Sequence, residues 1–182
     1  MLLGYNNRHQ ALGENVITKD EFRNSMARFA TGVTVVTTID DQGNFHGMTA
    51  NSFTSVCLDP PLILVCVDLH ANTHQFVQDR GRFGINILSD HQKEIGAYFA
   101  RRPEDRHGEV KYKHRQSEHG LRFIEGALAF LSCYVVDSRL YGDHTVFVGQ
   151  VDEIMPGEDS GKPLIYYERR FTSLGPEQNT IS

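Results

Sequence analysis

The chain has 182 residues, of which 40% are hydrophobic and 23% are charged, a balance typical of one globular domain and not of a disordered segment. A formal net charge of -5 argues against a sequence-independent nucleic-acid binder, which would carry a basic excess, so we expect no nucleic-acid partner. The apolar runs of the sequence are far shorter than the roughly 20 residues that a membrane-spanning helix needs, so we expect no membrane association.

The three cysteines lie in or beside apolar runs and show no close pairing pattern: Cys57, Cys66 and Cys133. An odd number of cysteines without such a pattern argues against a disulfide scaffold and favours a reducing compartment, so the expected location is the cytoplasm. The first residues hold no long apolar stretch and do not resemble a signal peptide. We expect flexible terminal segments at 1–17 and 176–182, with a single domain over 18–175.

The first half of the chain predicts one helix followed by several strands. Thr18 and Glu21 have the spacing of a capping box, which predicts a helix over 18–30. Its apolar residues fall on one face: Phe22, Met26 and Phe29. Strands are predicted over 33–39, 45–51, 53–58 and 62–68. The last of these is a continuous apolar run, which predicts burial on both faces.

The second half continues with short helices and longer strands. A helix is predicted over 71–77 with Asn72 or Thr73 as its N-cap, and Ser89 with Gln92 resembles a second capping box that opens a helix to about residue 100. Residues 101–120 are polar and predict a long surface loop. Further strands are predicted over 83–88, 127–138, 145–154, 164–167 and near Phe171.

The strands outnumber the helices and do not alternate with them regularly, which argues against a doubly wound sheet. The expected fold is mainly β with a few helices, in a closed or split antiparallel β-barrel. The sequence holds no G-x-G-x-x-G after a strand, no G-x-S-x-G and no H-E-x-x-H. His70 and His74 lie four residues apart but lack a third ligand, so no metal site is expected.

Three segments together resemble the short-chain flavin reductase family, the reductase components of two-component flavin-dependent monooxygenases. They are FATGVTVVTT at 29–38, GMTANSFTSVCLDPPLILVC at 47–66 and GDHTVFVGQV at 142–151, with a weaker match in PLIYYERRF at 163–171. The resemblance implies a split-barrel flavin-binding domain, a homodimer, and a flavin groove near the dimer interface. The implied activity is hydride transfer from NADH or NADPH to FMN or FAD, with the reduced flavin passing to a partner oxygenase.

A flavin ring needs a smooth apolar floor and a few hydrogen-bonding groups at its rim, which the small polar residues of 49–55 can supply. By resemblance, Asn51, Ser52 and Ser55 contact the ring and the ribityl chain. The full set of residues expected at the flavin from this part of the chain is Thr49, Ala50, Asn51, Ser52, Thr54, Ser55, Cys57 and Leu58. Most relatives carry Ser where this chain has Cys57, and the alternative for residues 51–52 is a simple bulge or turn.

The flavin phosphate needs a cradle, and a helix N-terminus offers free N–H groups and a favourable dipole. Asn72, Thr73 and His74 lie at the predicted start of the second helix, where the family meets the flavin tail. Ordinary helix capping is the alternative. The basic stretch at 101–115 is either a solvated loop or supplies one or two Arg or Lys side chains to a phosphate.

The expected catalytic residue is His144, because the family places a histidine that faces the nicotinamide at this position. Its imidazole could bind the carboxamide or stabilise charge on reduced flavin. Tyr166, Tyr167 and Arg169 match the family segment that borders the nicotinamide nucleotide, although Glu-Arg-Arg replaces the usual Arg-Gly after the tyrosines. The alternatives are a structural histidine at a hairpin turn and tyrosines that belong to the core.

Two rival functions remain open from the sequence. One is a non-catalytic split-barrel protein that stores or senses a flavin or haem, for which the Gly-Asp-His context of His144 would be unnecessary. The other is an oxidase of the pyridoxamine-phosphate type, which would hold FMN through several basic side chains that residues 62–82 do not offer.

Overall fold

The computed structural model describes residues 16–108, 110–157 and 161–175. Of the two terminal segments expected to be flexible, 1–15 and 176–182 lie outside these ranges. Val16 and Ile17 are exposed and belong to no helix or strand.

The regular structure of the described residues consists of three α-helices and twelve β-strands. The helices are α1 Lys19–Met26, α2 Asn72–Arg80 and α3 Lys93–Phe99. The strands are β1 Thr31–Gly32, β2 Thr34–Ile39, β3 Phe45–Ala50, β4 Phe53–Leu58, β5 Pro61–Asp68, β6 Arg82–Ile87, β7 His114–Gln116, β8 Arg122–Ile124, β9 Ala129–Tyr141, β10 His144–Pro156, β11 Leu164–Tyr167 and β12 Arg170–Ser173. Two short 3₁₀ turns precede and follow α3, at Asp90–Gln92 and Pro103–Asp105.

Seven strands form one antiparallel sheet in the order β3-β2-β6-β9-β10-β5-β4. Its two edge strands, β3 and β4, are consecutive in the chain, and only Asn51 and Ser52 separate them. Strands lie about 4.8 Å apart, so a flat sheet of this size would be roughly 29 Å wide, whereas the three Cα–Cα steps from Ala50 to Phe53 span at most about 11 Å. The sheet therefore curls until its edges approach each other, and the predicted split antiparallel β-barrel is confirmed.

The barrel interior holds the main core. Inward-facing side chains of β5 and β10 alternate with outward-facing ones, and Val65, Val67 and Phe147 are at most 1% exposed. A Cβ on Gly149 of β10 would lie 2.6 Å from the ring of Phe83, so this close packing of β10 on β6 requires glycine.

Smaller elements cover the barrel. Strands β1, β11 and β12 form a second sheet, which is joined to the barrel by the hydrogen bond from Val33 N to Leu164 O at 3.0 Å. Beneath it, α3 contributes Ile95 and Phe99 to a second apolar cluster. The β7–β8 pair packs Phe123 on Phe130 of β9 and closes a third cluster.

The predicted strands are all present, and both capping boxes are confirmed. Glu21 N donates to Thr18 Oγ1 at 3.2 Å, and Ser89 N donates to Gln92 Oε1 at 3.1 Å. The second box opens the 3₁₀ turn that leads into α3. Strands β9 and β10 run further than predicted and form a 13-residue hairpin pair with two bulges.

Several predictions from sequence were wrong in detail. Helix α1 ends at Met26, because the chain turns there toward β1, and α2 continues to Arg80. The N-cap of α2 is Ala71, without a side-chain cap bond, so neither Asn72 nor Thr73 caps it. Strand β5 is buried on one face only, since its other face lies on the outside of the barrel. The predicted surface loop at 101–120 contains β7, which pairs with β8.

Candidate functional site

The two-residue connection between β3 and β4 is the centre of the candidate site. Asn51 and Ser52 are exposed, yet both are held by hydrogen bonds. Asn51 Nδ2 donates to Thr31 Oγ1 at 3.1 Å, and Ser52 Oγ donates to the carbonyl of Cys66 at 2.8 Å. Asn51 and Ser52, two of the three residues expected at the flavin ring, therefore form a fixed and accessible ledge at the split of the barrel.

The residues just before this ledge are anchored in the fold. Thr49 Oγ1 donates to the carbonyl of Gly96 at 2.7 Å, which ties β3 to α3. Ala50 is buried, and its carbonyl accepts from Thr34 Oγ1 at 2.8 Å. Thr49 also borders a cavity, whereas Ala50 does not. The role of Ala50 is therefore to position the backbone.

The α2 cavity has a volume of about 360 Å³ and is bordered by Met48 and Thr49, the residues of β3 that lie just before Ala50 and the ledge. It brings together Thr49, Asn72 and Thr73, three of the residues that were expected at the flavin. Its complete lining is Met48, Thr49, His70, Ala71, Asn72, Thr73, Phe99, Ala100, Arg101, Arg102, Pro103, Glu104 and Arg106. The first turn of α2 contains no acidic residue and no side-chain cap, so its N–H groups and dipole favour an anion here.

The α1 cavity has a volume of about 330 Å³ and shares the ledge through Asn51. Tyr166 and Arg169, two of the residues expected at the nicotinamide nucleotide, also border it. Its other lining residues come from the first helix: Phe22, Arg23, Met26 and Ala27. Two guanidinium groups and two aromatic rings beside the carboxamide of Asn51 make this cavity suitable for a nucleotide.

The turn that carries Arg169 is strained. Glu168 and Arg169 have φ values of 48° and 61°, which non-glycine residues rarely adopt. The turn is held against α1, because Glu168 N donates to Ala27 O at 2.8 Å and Arg169 Nη2 donates to Asn24 Oδ1 at 2.9 Å. Tyr167 is half-buried and borders neither cavity.

His144 begins β10 at the tip of the long hairpin, and its side chain is 45% exposed. Its Nδ1 atom lies 2.7 Å from Oδ1 of Asp143. A carboxylate only accepts, so Nδ1 carries the hydrogen and Nε2 is left free to face a ligand. The hydrogen bond with His144 is the largest of the effects that lower the pKa of the Asp143 carboxyl below its ordinary 3.8.

His144 borders neither cavity, but it lies on the same outer face of the barrel as the ledge. His144 and Val146 point outward from β10, while Thr145 between them points inward. Val146 pairs with Cys66 of β5, and Cys66 exchanges two hydrogen bonds with Ser52. Strand β5 therefore separates His144 from Ser52. Along β10, His144 lies two residues from Val146, which is level with Ser52.

His74 does not take the position expected of a ligand-binding residue. It is 8% exposed, its Nε2 lies 2.8 Å from Thr145 Oγ1, and its ring packs on Phe147 at 5.4 Å. Burial lowers the pKa of the imidazole below its ordinary 6.5, so the neutral form is favoured. These contacts favour a structural role for His74.

The four expected residues of β4 also border neither cavity. Thr54 and Ser55 are exposed on this edge strand, and a bulge separates Ser55 from Cys57. Cys57 Sγ donates to Pro60 O at 3.0 Å, and Leu58 is 91% exposed. This edge lies beside the ledge on the outer barrel face.

The linings of both cavities also include residues that were not predicted from the sequence as site residues. Arg101, Arg102 and Arg106 border the α2 cavity, where the sequence signal was only a basic stretch. Phe22 and Arg23 border the α1 cavity, where the signal was an apolar helix face. In the described part of the chain, no helix is long and apolar enough to cross a membrane, and no cluster of three His, Cys, Asp or Glu side chains is arranged to hold a metal.

Comparison with known proteins identifies this architecture. The family model "Flavin reductase like domain" matches residues 26–175. An NADH-dependent flavin reductase of a Rhodococcus species is 41% identical over 160 residues, which cover 87% of this chain and 88% of that protein. The reductase component of a 4-nitrophenol 4-monooxygenase/4-nitrocatechol 2-monooxygenase from Rhodococcus opacus is 41% identical over 165 residues, with 91% and 86% coverage.

A solved structure shares the fold along nearly its whole length. The NADH:FAD oxidoreductase of Streptomyces globisporus, in complex with NAD and FAD fragments, superposes with a TM-score of 0.80 at 34% identity. The match covers 91% of this chain and 99% of that one. By sequence and by fold, the chain belongs to the flavin reductase-like domain family.

Proposed function

We propose that the protein is an NAD(P)H:flavin oxidoreductase that transfers a hydride from NADH or NADPH to FMN or FAD and supplies the reduced flavin to a flavin-dependent oxygenase. The observation that carries this proposal is the ledge of Asn51 and Ser52 at the end of β3. The α1 cavity, suited to a nucleotide, borders Asn51, and the α2 cavity, suited to a flavin tail, borders Thr49 of the same strand. Family membership and relatives with this activity support it.

The flavin would lie with its ring against the ledge and its phosphate tail in the α2 cavity. Asn51 and Ser52 would orient the polar edge of the ring, and the β4 edge with Thr54, Ser55, Cys57 and Leu58 would border it from outside. Asn72 and Thr73, with the N–H groups of the first turn of α2, would hold the phosphate. Both cavities are open at the surface, which suits a flavin that binds and leaves as a substrate.

The nicotinamide nucleotide would use the α1 cavity, where Tyr166 and Arg169 are available. Flavin and nicotinamide together supply the hydride transfer when bound, so the chain needs no catalytic triad. His144 would act from the outer barrel face. With Nδ1 donating to Asp143, the lone pair of Nε2 can accept a hydrogen bond from a carboxamide N–H.

A second copy of the chain would cover the outer face of the barrel and form a homodimer. Val56 and Leu58 of β4 are 49% and 91% exposed, and the outward residues of β5 and β10 include the half-buried Leu64 and Val148. Helix α1 buries no residue in the single chain, although Phe22 and Met26 share one face. Exposed apolar surface of this extent is typical of a protein–protein interface. Val56→Glu with Leu58→Glu should halve the mass measured by light scattering, whereas Lys93→Glu should leave it unchanged.

We also place the protein in the cytoplasm, because its three cysteines are free and a reducing compartment keeps them so.

The activity is tested by following nucleotide oxidation at about 340 nm, the absorbance of the reduced nicotinamide, with each pairing of NADH or NADPH and FMN or FAD. We expect turnover that requires added flavin and saturates with it for at least one pairing. Absence of turnover with all four pairings, from protein that binds flavin, would leave a non-catalytic flavin-binding protein instead.

A further inference from the structure

The segment that follows α3 forms a cationic wall of the α2 cavity. Arg101, Arg102 and Arg106 all border the cavity, against a single carboxylate from Glu104. The uncapped first turn of α2 borders the same space. Positive charge therefore enters this cavity from two elements that are distant in sequence.

The guanidinium of Arg106 forms hydrogen bonds within the protein. Its Nη2 donates to Gly47 O at 2.8 Å and its Nε donates to Arg101 O at 3.1 Å. The guanidinium also lies 5.6 Å and 5.2 Å from the ring centres of Tyr98 and Phe99. These contacts tie the segment to β3 and α3, and they fix the backbone of Arg101.

Arg101 and Arg102 differ from Arg106 in that no described residue pairs with their guanidinium groups. Both side chains are exposed, and within the three described ranges neither has a carboxylate within ion-pair distance. An exposed guanidinium at the mouth of a cavity can bind a phosphate through two parallel hydrogen bonds.

Resting on the proposed function, we infer that Arg101 and Arg102 recognise the phosphate of the flavin and that Arg106 is a positioning residue, which holds their backbone at the α2 cavity. The protein then discriminates FMN and FAD from riboflavin, which has the same ring and no phosphate. Glu104 opposes this recognition, because its carboxylate lies in the same wall as the phosphate-binding charges.

The test compares the dissociation constants of FMN, FAD and riboflavin, measured by quenching of flavin fluorescence. Arg101→Gln with Arg102→Gln should weaken FMN and FAD binding by about tenfold or more, as expected when charge-assisted hydrogen bonds are lost. Riboflavin binding should change by less than about twofold, since the variant leaves the ring site intact. Glu104→Gln should have the opposite effect and lower the dissociation constant of FMN. Arg139→Gln, an exposed arginine paired with Asp137, is the matched control.

Two variants separate positioning from charge at Arg106. Arg106→Gln should weaken FMN and FAD binding selectively. Arg106→Lys should do the same, because an ammonium keeps the charge but cannot reproduce the fork that spans Gly47 O and Arg101 O. Restoration of FMN binding by lysine would contradict the positioning role.

Equal losses for riboflavin and FMN in the Arg101 and Arg102 double variant, or no loss for either, would overturn the phosphate assignment. Riboflavin-dependent nucleotide oxidation should persist in each of these variants. If the unaltered protein oxidises nucleotide with none of the three flavins, the proposed function fails, which is a different result from the loss of phosphate discrimination.

Discussion

The Nε2 atom of His74 lies 2.8 Å from Oγ1 of Thr145, and this contact joins the first turn of α2 to the start of β10. Both residues are buried. His74→Ala leaves the Thr145 hydroxyl buried without this partner and removes the packing on Phe147, so the free energy of unfolding should fall by about 1–3 kcal/mol. Urea denaturation at pH 8 measures the loss. His91→Ala, at an exposed position, should change the stability by less than about 0.5 kcal/mol.

The same contact predicts a pH dependence of stability. Burial lowers the pKa of His74 below 6.5, although the nearby Asp68 carboxylate acts in the other direction. Because the unfolded chain binds this proton more readily than the folded chain, the stabilisation is complete above pH 6.5 and is lost as the pH falls through the folded pKa.

Urea denaturation between about pH 7 and pH 5 should therefore show a smaller slope for His74→Asn than for the unaltered protein. His114 also has a lowered pKa, mainly through burial, and keeps part of the slope. His91→Asn should retain the full slope. An unchanged slope in His74→Asn would show that this histidine is not the titrating group.

The strained turn between β11 and β12 predicts a stabilising substitution. Arg169 has a φ of 61°, a conformation that costs a non-glycine residue about 1 kcal/mol or more. Arg169→Gly should raise the free energy of unfolding by about 0.5 kcal/mol. This net gain is the relieved strain minus two costs, the lost hydrogen bond to Asn24 and the greater freedom of glycine in the unfolded chain. The same variant should raise the KM for the nicotinamide nucleotide. Arg170→Gly, one residue later in a regular strand, should instead destabilise the protein.

His144 predicts a separation between turnover and flavin binding. The side chain is half-exposed, and among the described residues its hydrogen-bond partner is Asp143, so His144→Ala should fold normally. Loss of one hydrogen bond that acts on the reacting complex should lower kcat by about tenfold, with the flavin dissociation constant within about twofold. Steady-state kinetics and flavin titration measure the two quantities. Equal losses in both would assign His144 a structural role.

The barrel could be predicted from the sequence because its strands and turns are marked by residues that are close together in the chain. Runs of β-branched and apolar residues predicted the strands, and the turn residues after Asp40 and the Asp59–Pro61 break predicted where two of them end. The prediction that Asn51 and Ser52 contact the flavin came from the resemblance alone. Its geometry follows from the sheet order, which makes consecutive strands the two edges of one sheet.

The cavities could not be predicted, because their walls meet only in the folded chain. Thr49, Asn72 and Arg101 are distant in sequence and border the same space. Helix α1 shows a second limit. Its apolar residues fall on one face, but the helix is attached to its own domain through polar contacts at Ala27 and Asn24, and Phe22 stays 61% exposed. A pattern of apolar residues on one helix face does not show whether the same chain or a second copy of it covers that face.

The most direct measurement is a fluorescence titration of FMN and FAD with the purified protein. A ledge that holds the flavin ring predicts saturable quenching with at least one flavin, weaker in Asn51→Ala and unchanged in Asn44→Ala, which alters an exposed asparagine of the β2–β3 turn. If neither flavin shows saturable quenching, or if both asparagine variants bind as the unaltered protein does, the ring is not held at this ledge.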